Sequence, residues 1–288
     1  MSPDVARIFD AMAPTYETLE PWYEHLYDVL HAILRRALRP AADGRRHRAL
    51  DAGCGTGFQA ALLEELGYVV HGVDISAGLL AVARARLPDA ALARATVEAL
   101  PYADGAFDAV ACCGSTLSFV DDPGRALGEL ARVLAPGGRL LLECEHKWNL
   151  DLGWAALGAL AHDALGYGLS LRAVRGLARD GVWPAYPGYG RLRSFTRGEL
   201  AALLRAAGLL PERTWGLHTV TNLIPSTVLH RQRLGRPLAR LYRALRALDR
   251  ALAGSALAAR AANSFVVLSR RARVGARQGI ARARRDLI

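Results

Sequence analysis

A turn with three alternate glycines follows a short apolar segment near residue 50, and this feature limits the possible folds most strongly. Residues 49–52 read ALDA, and residues 53–57 read GCGTG before a helical pattern begins. Glycine permits left-handed backbone conformations and lets a ligand approach the chain closely. In open α/β sheets, ligands bind beyond the carboxyl ends of the strands. The turn therefore predicts an α/β fold with a ligand site at the end of its first strand.

Apolar segments continue to alternate with helical segments through the first half of the chain. The predicted strands are Ala49–Ala52, Tyr68–Val73, Ala91–Ala93, Ala109–Cys113 and Arg139–Cys144. Helices are predicted near residues 57–66, 76–87 and 122–135, and a Pro-Gly-Gly turn at 136–138 is expected to end the last of them. This alternation predicts βαβ units with right-handed crossovers and a mainly parallel sheet.

The rest of the chain divides around this pattern. Residues 1–44 are predicted to form a cap of two helices, and residues 45–270 are assigned to the main domain. Within that domain, residues 145–195 are rich in Gly, Trp, Tyr and Leu without a clear β signal, so we expect an insertion over the substrate side. The pattern then resumes with a capping box at Thr196 and Glu199. Residues 271–288 are expected to form a basic tail.

Further elements are predicted after residue 208. They are a strand near Arg213–His218, a helix over Leu238–Leu252 and a strand over Ser264–Ser269. Leucines at 3-4-3-4 spacing in the helix indicate a packing seam.

The net charge of +10 comes largely from arginines after residue 230. A solvated basic face is the favoured interpretation, an anionic membrane or lipid partner is the second, and no nucleic acid is expected. Apolar runs stay well short of the about 20 residues that span a bilayer, and the N-terminus lacks the pattern of a signal peptide. These features predict a cytoplasmic protein. The four cysteines lack metal-ligand spacing, so we expect buried thiols and no metal site.

An acidic residue, Asp74, ends the second predicted strand. A carboxylate at that position can accept hydrogen bonds from both ribose hydroxyls of a nucleotide. The glycine turn and this aspartate together still fit an NAD-dependent enzyme.

Four segments in order and spacing resemble the class I S-adenosylmethionine-dependent methyltransferases, most closely the UbiE-like and methyltransferase type 11 group. They are the loop Asp51–Gly57, Asp74, the pair Leu100-Pro101-Tyr102 and Phe107-Asp108, and Leu134-Ala135-Pro136-Gly137-Gly138. The resemblance implies a Rossmann-like sheet of seven strands in the order 3-2-1-4-5-7-6. Strand 7 would be antiparallel, and helices would cover both faces. It also implies S-adenosyl-L-methionine as the cofactor.

The same resemblance implies where the cofactor binds. The implied cofactor-binding residues are Tyr16, Asp51, Gly53, Gly55, Asp74, Ile75, Val97, Glu98, Gly114 and Ser115. The two glycines would cradle the methionyl part, Asp51 would fix the loop and the amino group, and Asp74 would bind the ribose. Residues 96–98 would border the adenine, and residues 114–116 would line the methyl group. Ordinary helix packing is an equal alternative for Tyr16.

Two histidines are candidate general bases. His146 follows the fifth predicted strand and His218 the sixth, so parallel strands would bring both to the ligand-binding rim. Histidine has an ordinary pKa near 6.5 and can accept a proton at neutral pH. A structural hydrogen bond is the alternative role for each, and Glu145 is a second candidate base.

The predicted function is methyl transfer to an O, N or C nucleophile of a small acceptor. Aromatic residues in the N-terminal helices and the insertion favour a hydrophobic, natural-product, quinone-like or lipid-like acceptor. A thiol or metalloid methyltransferase using Cys113 and Cys144 is an alternative. An NAD(P)-dependent oxidoreductase would leave Phe107-Asp108 and the Pro-Gly-Gly turn unexplained. A non-enzymatic scaffold could partner another methyltransferase through helix 238–252. The sequence does not set the oligomeric state.

Overall fold

A seven-stranded sheet in the order β3-β2-β1-β4-β5-β9-β8 forms the centre of the computed structural model. The structure describes residues 3–18, 23–186, 189–229, 234–255 and 258–273. The strands are β1 Arg48–Ala52, β2 Val69–Asp74, β3 Ala91–Arg94, β4 Phe107–Cys112, β5 Leu134–Glu145, β6 Val182–Tyr186, β7 Gly190–Arg193, β8 Leu209–Leu217 and β9 Ser264–Arg271. Strands β1 to β5 are parallel to one another, and β9 is antiparallel to both β5 and β8. With β8 and β9 as strands six and seven, the implied order is confirmed.

Helices cover both faces of this sheet, as the resemblance implied. The helices are α1 Pro3–Met12, α2 Tyr23–Ala37, α3 Phe58–Glu65, α4 Ala77–Arg86, α5 Pro123–Val133, α6 Leu150–Leu160, α7 Leu171–Asp180, α8 Arg197–Ala206, α9 Ser226–Leu229, α10 Arg236–Leu252 and α11 Ala258–Ala261. Neighbouring residues of β5 belong to different cores: Leu142 lies in the core that includes Leu127 of α5, and Leu141 lies in the core that includes Leu34 of α2. Because successive side chains of a strand alternate, a strand buried on both faces needs an apolar run, which explains its sequence.

The predicted helix starts are visible as side-chain caps. Asp122 accepts a hydrogen bond from the backbone N–H of Arg125 at the start of α5. Thr196 and Glu199 form the predicted capping box at the start of α8. Such caps satisfy backbone N–H groups that have no partner within the helix.

The Pro-Gly-Gly segment does not end α5, which was the prediction. Helix α5 ends at Val133, and β5 begins at Leu134 and continues through residues 136–138. Leu134 pairs with Phe107 and the next pair is Arg139 with Ala109, so the intervening residues form an irregularity within the strand. Gly137 there has φ +84°. The glycines therefore permit a distorted strand where a turn was predicted.

The insertion contains a β-hairpin, although residues 145–195 carry no clear β signal in their sequence. Strands β6 and β7 pair antiparallel, with Val182 opposite Arg193 and Trp183 opposite Leu192. Pro184 lies within β6 and obscured the strand pattern, because proline cannot donate to a ladder and is confined to edges and irregular positions. Residues 187–188 of the insertion lie outside the described residues.

The two ends of the insertion meet at the end of β5. His146 and Phe195 form a parallel bridge, and the N–H of Phe195 donates to the carbonyl of Glu145 at 2.9 Å. The insertion therefore leaves the sheet and returns to it at one place, on the carboxyl side of the parallel strands.

The N-terminal cap is fastened to the sheet's ligand-binding rim. Asp10 of α1 accepts hydrogen bonds from the hydroxyl of Ser76 at 2.6 Å and from the N–H of Gly78 at 2.9 Å. These bonds hold α1 against the start of α4. Residues 1–2 and 19–22 of the predicted cap, and residues 274–288 of the predicted basic tail, lie outside the described residues.

Within the described ranges, no helix combines the length and apolar character required to cross a membrane.

Candidate active site

A pocket with an empty volume of about 680 Å³ lies at the carboxyl ends of β1, β2 and β4. The strand order reverses between β1 and β4, which is where ligands bind in open α/β sheets. The loop after β1 and Asp74 form the polar part of the lining. Aromatic side chains from the cap, α3 and the segment after β4 form the rest; they are Phe9, Tyr16, Tyr27, Phe58 and Phe119. A mainly apolar and aromatic lining with a few convergent polar groups is typical of a small-molecule site.

The two central glycines of the loop have different surroundings. Both have positive φ, +81° at Gly53 and +52° at Gly55. A Cβ added to Gly53 would overlap the side chain of Thr116, because the loops after β1 and β4 touch there. A Cβ added to Gly55 would find its nearest neighbour, Leu79 Cδ1, 4.0 Å away and would extend into the pocket. Gly53 is therefore required for packing, whereas Gly55 keeps the pocket open.

Asp74 connects this loop to the second strand. Its Oδ2 accepts the N–H of Gly55 at 2.9 Å, and its Oδ1 accepts the N–H of Ser76 at 2.8 Å. The carboxyl group lines the pocket together with Ile75. Burial raises the pKa of Asp74, while the two backbone hydrogen bonds oppose that shift. Each carboxylate oxygen keeps acceptor capacity for a ligand hydroxyl.

Two buried polar atoms near the glycine loop have no hydrogen-bond partner in the described part of the chain. They are Oδ2 of Asp51 and Nε2 of Gln59. Asp51 is only 1% exposed, and burial raises the pKa of its carboxyl group to about 7. Gln59, in the first turn of α3, lines the pocket. Unsatisfied buried groups cost about 1–3 kcal/mol each, so this pair suits a ligand with complementary charged or polar groups.

Gln59 was not among the residues that the sequence singled out. Its position in the first helical turn after a glycine loop, where side chains and N–H groups face the ligand, was the available signal.

Val97, Gly114 and Tyr16 also line the pocket, whereas Glu98, Ser115 and the buried Asp51 do not. One carboxylate oxygen of Glu98 accepts the N–H of Asp122 at 2.8 Å, which joins the segment after β3 to the start of α5. Ser115 donates its hydroxyl to Oε1 of Glu145 at 2.9 Å and its N–H to Glu143. Both residues thus hold neighbouring loops in position.

Neither His146 nor His218 is among the residues that line this pocket. Side chains alternate along a strand, so Glu145 reaches Ser115 while His146 faces the opposite side. Nδ1 of His146 lies 3.1 Å from the carbonyl of Ala262, and burial lowers the pKa of the ring. The general-base role of His146 stays a prediction.

His218 lies in a second buried polar cluster, after β8. Its Nδ1 is 3.2 Å from Oγ1 of Thr221, whose hydroxyl proton is donated to Asp249. This network orients the His218 ring within the cluster. The role of His218 as a base also stays a prediction.

All four cysteines are buried free thiols, as predicted. Cys54 and Cys113 line the pocket. Burial raises the pKa of both thiols, so they remain protonated at neutral pH.

Residues 50–142 match a family model described as a methyltransferase domain. A demethylmenaquinone methyltransferase of Renibacterium salmoninarum is 36% identical over 148 residues, covering 48% of this chain and 57% of the relative. The Thermus thermophilus enzyme of the same name is 40% identical over 141 residues, covering 47% and 63%. The chain therefore spans little more than half the length of these curated relatives.

A solved structure extends the likeness over nearly the whole chain. It is an S-adenosylmethionine-dependent methyltransferase of Thermotoga maritima, described as a possible histamine N-methyltransferase, with a TM-score of 0.53. The match covers 92% of this chain and 99% of that one at 22% identity, which supports the shared fold. Residues 50–142 thus match a methyltransferase domain, and the described chain shares the fold of the solved S-adenosylmethionine-dependent methyltransferase, including its seven-stranded sheet.

Substitutions at the two glycines should separate packing from binding. We expect Gly53→Ala to lower the free energy of unfolding by about 1–3 kcal/mol more than Gly55→Ala, because only Gly53 faces Thr116. Gly55→Ala should instead weaken binding of S-adenosylhomocysteine. Gly67→Ala, at φ +92° with no atom near the added Cβ, measures the cost of the backbone conformation alone. Equal destabilisation of all three variants in urea unfolding would contradict this assignment.

The raised pKa of Asp51 should make cofactor binding depend on pH. Between about pH 4 and 7, the carboxyl group of Asp51 is more protonated in the folded protein than in the unfolded chain. An ammonium group of a ligand bound nearby would favour the ionised carboxylate. Binding of S-adenosylhomocysteine at pH 6.5 should therefore release protons, and affinity should rise from pH 6 to 7.5. Calorimetry in buffers of different ionisation enthalpy measures this release. Asp51→Asn should abolish it; unchanged proton release in that variant would exclude Asp51 as its source.

Proposed function

We propose that this chain transfers the methyl group of S-adenosylmethionine to a small apolar acceptor of the quinone-like class. The proposal rests on one observation: the glycine loop and Asp74 line the same pocket as five aromatic side chains. When bound, the cofactor supplies a methyl group already activated on a sulfonium. The protein then has to align the acceptor, exclude water and, for some acceptors, remove a proton.

The polar end of the pocket would hold the cofactor. Asp74 would accept hydrogen bonds from the ribose hydroxyls, which its remaining lone pairs permit. Asp51 and Gln59 would satisfy the amino and carboxylate groups of the methionyl part, consistent with their orphaned polar atoms. Ile75 and Val97 would flank the adenine, and Gly114 would border the methyl group.

The aromatic end of the pocket supports an apolar, planar acceptor. Phe119 packs edge-to-face against Phe9 of the cap at 5.3 Å between ring centroids and lies 6.2 Å from Tyr189 of the insertion. Phe9 lies outside residues 50–142 and Phe119 lies inside them, so acceptor choice would rest on the cap together with the matched segment. The two relatives named as demethylmenaquinone methyltransferases support the quinone-like class.

Proton removal has three candidates in this chain. His146 and His218 are the predicted bases, and Glu145 contacts Ser115, which lies between two pocket-lining residues. Alignment of the reacting atoms can contribute about 7–11 kcal/mol, whereas a base adds about 10²–10⁴-fold. Alignment is therefore the larger contribution, and the base matters for acceptors that carry a proton.

The other candidate functions have less support. Burial keeps Cys113 and Cys144 as neutral thiols, which disfavours thiolate binding of a metalloid. An oxidoreductase would not account for the methyltransferase family match. A cofactor-binding scaffold would share the polar end of the pocket and differ only in lacking turnover.

Turnover with a defined acceptor tests the proposal. The full chain, incubated with S-adenosylmethionine carrying a labelled methyl group, should transfer label to a short-chain demethylated naphthoquinol. Substituting the true base, by His146→Ala, His218→Ala or Glu145→Gln, should lower the rate about 10²–10⁴-fold and leave S-adenosylhomocysteine affinity nearly unchanged. Raising the pH should partly restore that variant.

Wild-type rates in all three variants would leave alignment as the source of catalysis. Tight cofactor binding without labelling of naphthoquinol, phenol or thiol acceptors would contradict the proposed activity and favour the scaffold.

A further inference from the structure

The most exposed large apolar side chains lie close together in the chain's later part. Those that are 48–64% exposed are Trp148, Leu157, Leu160, Leu223, Leu241 and Leu248. They belong to the insertion, to the turn after β8 and to α10, and all lie outside the matched residues 50–142. Exposed apolar groups gathered on neighbouring elements indicate an interaction surface.

Helix α6 presents an outer face without charge. Leu150, Gly153, Leu157 and Leu160 follow the 3-4-3 spacing of one helix face, and all four are exposed. The only ionisable residue of the helix, Asp151, is buried and accepts a hydrogen bond from the hydroxyl of Tyr167 at 2.6 Å. The polar group of α6 thus points inward and the leucines point to the surface.

Helix α10 exposes both apolar and cationic side chains around its buried face. Its inner residues Leu238, Tyr242 and Leu245 pack in a small core. Leu241 and Leu248, two helical turns apart, are about half exposed. Arg236, Arg240 and Arg243 are exposed along the same helix, and its only acidic residue, Asp249, is buried.

The turn after β8 is hydrogen-bonded to both of these helices. The indole N–H of Trp154 in α6 donates to the carbonyl of Asn222 at 3.0 Å, and Asp249 of α10 accepts the N–H of Val220 at 2.7 Å. Leu223, in the same turn, is 53% exposed. We call the outer leucines of α6, Leu223, and the outer leucines and arginines of α10 the leucine–arginine surface.

We infer that the leucine–arginine surface binds the face of an anionic lipid bilayer. Leucines on a basic amphipathic helix can enter the boundary between headgroups and acyl chains, while arginines extend their stems and place their charge among anionic headgroups. Neither α6 nor α10 exposes an acidic residue that would oppose such contact. The net charge of +10 adds a long-range electrostatic attraction between the protein and the anionic bilayer. This inference does not depend on the proposed methyl transfer.

Sedimentation with vesicles tests the inference on the full chain. Vesicles of phosphatidylcholine and phosphatidylserine at 4:1 should bind the protein at low salt, and pure phosphatidylcholine should bind it far less. Arg240→Gln with Arg243→Gln should weaken binding to the anionic vesicles roughly 30-fold, since each arginine near such a surface contributes about fivefold. Leu241→Gln with Leu248→Gln, and separately Leu157→Gln with Leu160→Gln, should also weaken it.

Matched controls use the same substitutions elsewhere. Arg36→Gln with Arg39→Gln, near the end of α2, removes two exposed arginines, and Leu210→Gln on β8 removes an exposed leucine. Both controls should bind like wild type, and thermal unfolding should show that every variant is folded.

Three results would overturn the inference. The first is an absence of binding to anionic vesicles at low salt. The second is equal loss in the controls, or unchanged binding in the α6 and α10 variants. The third is a concentration-dependent dimer that Leu241→Gln with Leu248→Gln dissociates in the absence of vesicle binding, since that would make this face a contact between two copies.

Discussion

The carboxylate of Asp74 is the point on which the rest of the site depends. One oxygen holds the N–H of Gly55 in the loop after β1, and the other holds the N–H of Ser76 at the start of α4. Ser76 in turn donates its hydroxyl to Asp10, which fastens the N-terminal cap over the pocket. A single buried carboxylate therefore links the glycine loop, the second βα unit and the cap, while its free lone pairs face the pocket.

The chain consists of an α/β body, built on the seven-stranded sheet, and of two additions to it, the N-terminal cap and the insertion. The body, with its doubly covered sheet, provides the polar end of the pocket, and burial there sets the protonation of Asp51. The cap provides part of the aromatic wall through Phe9, Tyr16 and Tyr27, and Tyr189 of the insertion packs against Phe9 and Phe119 behind it. The same insertion carries the uncharged outer face of α6. We therefore propose that the cap contributes to acceptor choice and that the insertion contributes to membrane binding.

The sequence predicted the body well because local and long-range signals agreed there. The apolar runs, the glycine loop and the capping box at Thr196 each have a local physical cause. The hairpin of the insertion was missed because Pro184 breaks the strand pattern, although an edge strand tolerates it. The segment at residues 136–138 was predicted as a turn because glycine signals a turn and a strand irregularity alike.

The histidines show a limit of topological reasoning. Strand direction brings the backbone at residue 146 to the ligand-binding rim, but side-chain alternation determines which face His146 occupies. The sequence therefore locates such a residue along the strand more reliably than it orients its side chain. The orphaned amide of Gln59 likewise depends on tertiary packing, which no local pattern reports.

The central claim is that Asp74 and the glycine loop form the site of S-adenosylmethionine. Calorimetric titration with S-adenosylhomocysteine tests it most directly, using wild type, Asp74→Ala and the exposed control Asp89→Ala. We predict measurable binding by wild type and the control, and a loss of about 1–3 kcal/mol in Asp74→Ala, or roughly 5- to 150-fold in affinity. Unchanged affinity in a folded Asp74→Ala variant, or no binding by wild type, would contradict the account.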